Sequence, residues 1–341
     1  MSGAFRRLLA MLAGVIPLTG IAAASTFESP AIAAAVGIAS TPRIELAPSP
    51  QPSPPRERGG EGAKGVTFAA TSIALSPEHA RGRGLGEGGS SSATALPQSV
   101  QQGSLVFGQT RPGSTVSLHG KPLRVSSDGR FAFGVGRDEA RDARLDVTFP
   151  DGRRERIDVA VKKRDWPVER VTGVPQQTVD PPPEIAARIA REQAAVAAQR
   201  QRDDDRPDLF ANFIWPVEGR ISGRFGRQRV YNGTPGAPHS GADIAVPQGT
   251  PIRAPAAGLV TFAEPDLYLT GGTVLIDHGH GVGSNFLHLS KLDVRVGQRV
   301  EQGDIIGRVG ATGRATGPHL HWGLTWFEVR LDPQLLDLPP R

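Results

Sequence analysis

From about Leu209 onward, short apolar runs alternate with glycines, and that alternation restricts the last third of the chain to a compact β structure. The runs Leu259-Val260-Thr261-Phe262, Thr273-Val274-Leu275-Ile276 and His319-Leu320-His321-Trp322 have strand length. Between them, glycine adopts positive φ without a steric penalty, so the chain can reverse within a few residues. The stretch from Asp293 to Gly307 places valine or isoleucine between glycines in the same manner.

The remaining chain has different textures. Its 341 residues suggest two folded units plus connecting material, and its 42 glycines and 30 prolines are unevenly spread. Arg6 and Arg7 precede an apolar stretch from Leu8 to Ala24, broken by Pro17 and Gly20 and ending on Ala22-Ala23-Ala24. Residues 1–24 therefore read as a secretory signal peptide rather than a spanning helix, with an uncleaved anchor as the alternative. Residues 25–96 hold too little apolar content to offset chain entropy and read as a disordered linker, in which His79 is incidental. Residues 97–163 show short alternating segments separated by His119-Gly120, Asp128-Gly129 and Asp151-Gly152. That spacing predicts a small β-sandwich-like domain without chemistry of its own, suited to packing or to binding a cell-envelope protein. Residues 164–207 form a connector, with a helix predicted at 184–202. Pro183 sits near its start, Ile185, Ile189 and Val196 give a thin apolar stripe, and Asp203-Asp204-Asp205 with Pro207 end it.

Charge and cysteine content narrow the function classes. A formal net charge of +5 and a pI near 10.0 suit an anionic surrounding such as a cell envelope. No basic stripe is interleaved with aromatic side chains, so no nucleic-acid partner is expected. With no cysteine, disulfides are impossible and any metal must be held by histidine and carboxylate.

Six of the eight histidines (239, 278, 280, 288, 319 and 321) fall in the glycine-rich segment, a crowding that packing alone does not predict. His239-Ser240-Gly241-Ala242-Asp243 is an H-x-x-x-D, and His319-Leu320-His321 is an H-x-H in a strand-like context. Side chains at i and i+2 of a strand share a face, so both rings of the pair can reach one site. His239, Asp243 and one histidine of the pair would supply three protein ligands, leaving the fourth tetrahedral position to water as in a catalytic zinc site. Such a zinc lowers the pKa of its water toward ~7 and polarises a scissile carbonyl. His288 and the other histidine of the pair are then placed to move protons or stabilise the oxyanion. The helix-borne H-E-x-x-H motif is absent.

These motifs occur in order with Gly223-Arg224-Phe225-Gly226, Gly249-Thr250-Pro251-Ile252, Ala254-Pro255-Ala256-Ala257-Gly258, Ile276-Asp277-His278-Gly279, His288-Leu289-Ser290, Gly310-Ala311-Thr312-Gly313 and Gly317-Pro318-His319-Leu320-His321. From about Trp215 to Pro333 the chain resembles the lysostaphin/LytM-type peptidoglycan endopeptidases. The resemblance implies a duplicated-hybrid-motif β-sheet domain over residues 208–341, in a protein that is mainly β. It implies Zn2+ held by His239, Asp243 and His321, with His288 and His319 as catalytic histidines. It also implies peptidoglycan stem peptides or cross-links as substrate, and an exported protein of the periplasm or cell envelope. One departure is Phe286, where family members often carry tyrosine, which bears on substrate contact or transition-state hydrogen bonding. The resemblance gives the turn at His278 and His280 a structural role, and Trp322 and Trp326 are read as core or groove wall.

The rival expectation is a catalytically silent envelope regulator that activates other cell-wall hydrolases. In such relatives the histidine and aspartate positions are eroded, whereas here all five are filled. The predicted helix directly precedes the peptidase-like segment and is placed to fold over its groove, in which case a chain starting near Asp208 would act faster.

Overall fold

The most apolar of the expected strands, Gly271–Gly279, has all nine residues buried and lies inside a large sheet, as a strand covered on both faces must. A computed structural model describes residues 93–340. The expected signal peptide, nearly all of the expected linker and His79 lie outside the described residues. The protein is mainly β, and its C-terminal part is one ten-stranded sheet. Along the sheet the strands run Arg299–Val300, Gly258–Leu267, Gly271–Gly279, Val282–Leu292, Leu320–Trp326, Ala242–Ala245 and Arg220–Gly223, all paired antiparallel. Val329–Leu331 adds to the far side of Leu320–Trp326 over part of its length.

The central hairpin shows how glycine places these strands. His280 and Gly281 join Gly271–Gly279 to Val282–Leu292 with φ of 50° and 77°, the two-residue turn with positive φ at both positions that matches strand twist. A Cβ on Gly281 would come within 2.5 Å of the Phe327 ring. Gly281→Ala is therefore expected to lower stability by about 1–3 kcal/mol, read as a lower midpoint in urea unfolding. An unchanged midpoint would mean that the turn and Phe327 relax freely.

Trp322, Phe286, Ile244, Leu289, Ile306 and Leu320 are wholly or almost wholly buried and form the core beneath the sheet, with Trp215 edge-on to Trp322 at 5.8 Å. Ahead of this sheet lies the sandwich-like part. A five-stranded sheet holds Ser99–Gln101, Arg154–Lys162, Ala143–Thr148, Thr115–Leu118 and Lys121–Leu123 in spatial order, and Leu105–Gln109 pairs with Arg130–Gly134. Their inner residues Val106, Phe131, Phe133, Leu145, Val147 and Val159 form a second core. His119 and Gly120 carry positive φ in a turn between two of these strands. Trp326 packs against both cores, and Arg164 is paired with the buried Asp332 at 2.8 Å.

The connector crosses from one part to the other. Val168–Val171 pairs in parallel with Gln228–Tyr231, and the helix spans Pro183–Gln199 with Pro183 in its first turn. None of the helix residues is buried. Beyond it, Arg206 pairs with Asp277, and Asp208 receives both guanidinium nitrogens of Arg299. These pairs tie the chain back to the large sheet.

Candidate metal centre

Antiparallel pairing of Ala242–Ala245 with Leu320–Trp326 sets Asp243 directly opposite His321, so the two side chains emerge side by side on one face. His239 reaches the same point from the preceding loop, which is held by bonds between the His239 amide and the Arg227 carbonyl and between the Gly226 amide and the His239 carbonyl. The three side chains are buried and their donor atoms form a small triangle. His239 Nε2 is 2.9 Å from Asp243 Oδ1 and 3.0 Å from His321 Nδ1, and His321 Nδ1 is 2.8 Å from Asp243 Oδ1.

The protons of this triangle decide what it fits. His239 Nδ1 faces the Arg224 carbonyl oxygen at 2.9 Å, which can only accept, so Nδ1 carries the proton. In the neutral ring Nε2 is then a lone pair directed at a carboxylate oxygen, acceptor against acceptor. A cation held by all three atoms would resolve that conflict, and the N, N, O donor set is one that zinc takes. Burial pushes His321 down to about 4, against the pull of Asp243, which leaves its ring neutral and able to donate a lone pair. Burial works against the Asp243 carboxylate, but the neighbouring His239 and His321 rings outweigh that and hold it well below the usual carboxylate value.

Sequence reasoning missed Arg229. From the Gln228–Tyr231 strand its Nη2 donates to Asp243 Oδ2 at 2.7 Å and its Nε to Glu169 at 3.2 Å. Asp243 is thereby divided, with Oδ1 turned to the histidines and Oδ2 to Arg229. Arg229→Gln is expected to weaken zinc affinity by about 10–100-fold, the usual effect of removing a group that orients a ligand. A competition titration against a chromophoric chelator reads this directly. Unchanged affinity would mean that the histidines alone orient the carboxylate.

His288 and His319 border the triangle with their rings 4.8 Å apart. His288 donates Nδ1–H to the Thr312 carbonyl at 2.7 Å, and His319 donates Nδ1–H to the Gly317 carbonyl at 2.8 Å. Each ring therefore keeps Nε2 free, and that of His319 lies 3.9 Å from Asp243 Oδ1. Burial, followed by the proximity of His319 and His321, pushes His288 down to about 3, so it is a neutral acceptor. His288 also has φ of 66°, a strained conformation for a non-glycine residue of the kind found at functional sites. Thr312 lies in a glycine-flanked motif visible in the sequence, but nothing in that motif signalled that its carbonyl fixes the His288 tautomer.

The other singled-out residues lie elsewhere. His278 is buried between the Ala257 carbonyl and Ser284 Oγ, at 2.7 and 2.9 Å. His280 packs edge-on to Phe210 and faces Asp205 at 3.4 Å. Neither belongs to the His239–Asp243–His321 group. Phe286 sits wholly inside the core, so the expected effect on substrate contact has no basis at this position.

His239, His288 and His321 open into a cavity of about 770 Å3. Its floor includes Thr273, Leu275 and Asn285 of the sheet, one wall includes Arg137, and helix residues Ile189, Glu192, Val196 and Arg200 lie along it. Arg188 donates to the Asp266 carbonyl at 2.6 Å, and Glu192 accepts the Tyr268 amide at 2.8 Å. Near the other end, Gln201 donates to Glu328 at 3.1 Å. The helix thus lies along the groove and is held by polar contacts from Arg188 and Glu192 and, just beyond its C-cap, from Gln201.

Comparison with known proteins gives consistent matches. The family model described as Peptidase family M23 matches residues 237–333. Peptidoglycan DD-endopeptidase ShyA of Vibrio cholerae is 43% identical over 113 residues, 32% of this chain and 26% of that protein. DD-carboxypeptidase/endopeptidase Mpg of Neisseria meningitidis is 45% identical over 97 residues, 28% of this chain and 21% of that protein. The chain thus spans about a quarter of the length of these curated relatives. A crystal structure from Pseudomonas aeruginosa assigned to peptidase M23 is 35% identical, with a TM-score of 0.53, and the match covers 68% of this chain and 92% of that one.

Proposed function

The chain belongs to peptidase family M23, and on that premise we propose that it is a zinc-dependent endopeptidase acting on stem peptides or cross-links of bacterial peptidoglycan. The observation that carries the proposal is the set of buried lone pairs converging at His239 Nε2, Asp243 Oδ1 and His321 Nδ1, with two further free Nε2 atoms beside them. His239, Asp243 and His321 hold the zinc, and His288 and His319 are the catalytic histidines. Zinc, when bound, supplies Lewis-acid polarisation of the scissile carbonyl and lowers the pKa of a water molecule. His288 and His319, fixed in the Nδ1–H tautomer, present Nε2 to take up a proton and to return it to the leaving amine. Arg229 holds Asp243 Oδ2 and leaves Oδ1 turned toward the site.

The name of the Vibrio relative, a peptidoglycan DD-endopeptidase, supports peptidoglycan as the substrate class. In this reading residues 1–24 direct export to the periplasm or envelope, residues 25–96 link, residues 97–163 engage an envelope protein, and residues 208–341 form the peptidase domain. The alternative, a silent regulator of other hydrolases, draws support from the helix along the groove.

Incubating the purified protein with intact sacculi, beside Asp243→Ala and a chelator-treated sample, separates the two. Loss of cross-linked muropeptides with the native protein alone, restored by zinc after chelation, is the expected result. Sacculi left intact by the native protein and by a variant with a loosened helix would favour the regulator.

A further inference from the structure

Five arginines line the cavity, and three of them are already partnered. Arg137 donates to the Gly226 carbonyl and to Asp138, Arg229 serves Asp243 and Glu169, and Arg314 donates to the Thr178 carbonyl while covering the Tyr231 ring at 4.2 Å. Arg200 and Arg330 differ. Neither makes a side-chain hydrogen bond among the described residues, and the carboxylate they share is Glu328, 3.9 Å from Arg200 and half-exposed. Removing a guanidinium from water without a paired carboxylate costs stability. The C-terminal end of the helix offsets part of that for Arg200, but Arg330 stands on a strand. Burial, then the charge of Arg330, pushes Arg200 down to about 9, and burial lowers Arg330 as well. Two adjacent cations short of counter-charge, facing an open cavity, form a receptor for an anion.

The strand register places this pair relative to the metal triad. Arg330 is directly opposite Thr325, which lies four residues beyond His321 on the same face of Leu320–Trp326. Four residues of strand correspond to ~13 Å. An extended peptide cut beside His321 would therefore carry a group about four residues away to Arg330.

We propose that Arg200 and Arg330 form a carboxylate-binding subsite, which takes a free carboxylate of the peptide substrate about four residue lengths from the cleaved bond. The fork of a guanidinium matches a carboxylate through two parallel hydrogen bonds, and an amide in its place leaves the two cations with Glu328 as their one counter-charge among the described residues. The subsite rests on the peptidase reading for its substrate, and it gives the groove a preference for free over amidated stem peptides.

The test uses the full chain and a pair of cross-linked muropeptide dimers, one with free carboxylates and one amidated. The native protein is expected to cleave the free form with a kcat/KM about tenfold higher, through KM rather than kcat. Arg330→Gln should cleave both forms at the lower value while its Tm stays level or rises, since an unpaired charge is removed. Calorimetry on zinc-depleted protein repeats the comparison without cleavage, with about tenfold tighter binding of the free form expected. Discrimination in binding without any cleavage would leave the subsite standing and sink the peptidase reading. Equal handling of both dimers by the native protein, discrimination that survives in Arg330→Gln, or a Tm lower by several degrees would overturn the subsite.

Discussion

Replacing His319 with alanine is expected to lower kcat on cross-linked peptidoglycan by about 10²–10⁴-fold, the contribution of one positioned proton-transfer group, while zinc content stays constant. The expectation follows from hydrogen bonding. The Gly317 carbonyl commits His319 Nδ1, so its Nε2 is the basic atom, and that atom approaches the Asp243 carboxylate without joining the triangle. His288 is held in the same tautomer by Thr312, with its ring against that of His319. On the proposed reading the two rings serve one proton path, so His288→Ala combined with His319→Ala should lose little more than the worse single variant. Muropeptide release gives kcat, and atomic absorption gives zinc per chain. An unchanged kcat would remove His319 from the chemistry, and zinc lost together with activity would make it a ligand.

How much of this was legible in the sequence depends on the distance over which each feature is encoded. The H-x-x-x-D and H-x-H patterns carry their geometry locally, since side chains at i and i+2 of a strand share a face. The hairpin at His280-Gly281 is likewise written in a dipeptide that needs positive φ. Arg229 is different. It reaches Asp243 only because Gln228–Tyr231 is set beside the site by pairing with Val168–Val171, a partner some sixty residues earlier, and no residue around Arg229 announces that contact. Arg200 and Arg330 come together from a helix end and a strand 130 residues apart, so their shortage of counter-charge, with Glu328 alone between them, is a property of tertiary structure alone. Phe286 shows the converse error. A position two residues before His288 suggests substrate contact, but the left-handed backbone at His288 breaks the alternation, and the phenyl ring faces the core.

The helix Pro183–Gln199 supplies the second large effect. If the helix along the groove covers it, a cross-linked peptide, which carries glycan at both ends, cannot be threaded beneath it, whereas a short peptide with a free end can. The helix buries none of its own residues, so polar contacts carry its attachment. Among these is the bond from the Tyr268 amide to the Glu192 carboxylate, whose side chain is 17% exposed. A charge-assisted bond of this kind contributes about 1.5–3 kcal/mol, so its loss shifts opening by about 10- to 150-fold. Glu192→Ala is therefore expected to digest sacculi at least about tenfold faster than the native chain while leaving the rate on a short free-ended peptide nearly unchanged. Equal acceleration on both substrates would mean that Glu192 acts on the chemistry rather than on access. No acceleration on sacculi would show that substrate enters along the open side of the groove with the helix in place, and the helix would then be a fixed wall that carries Arg200 to the carboxylate.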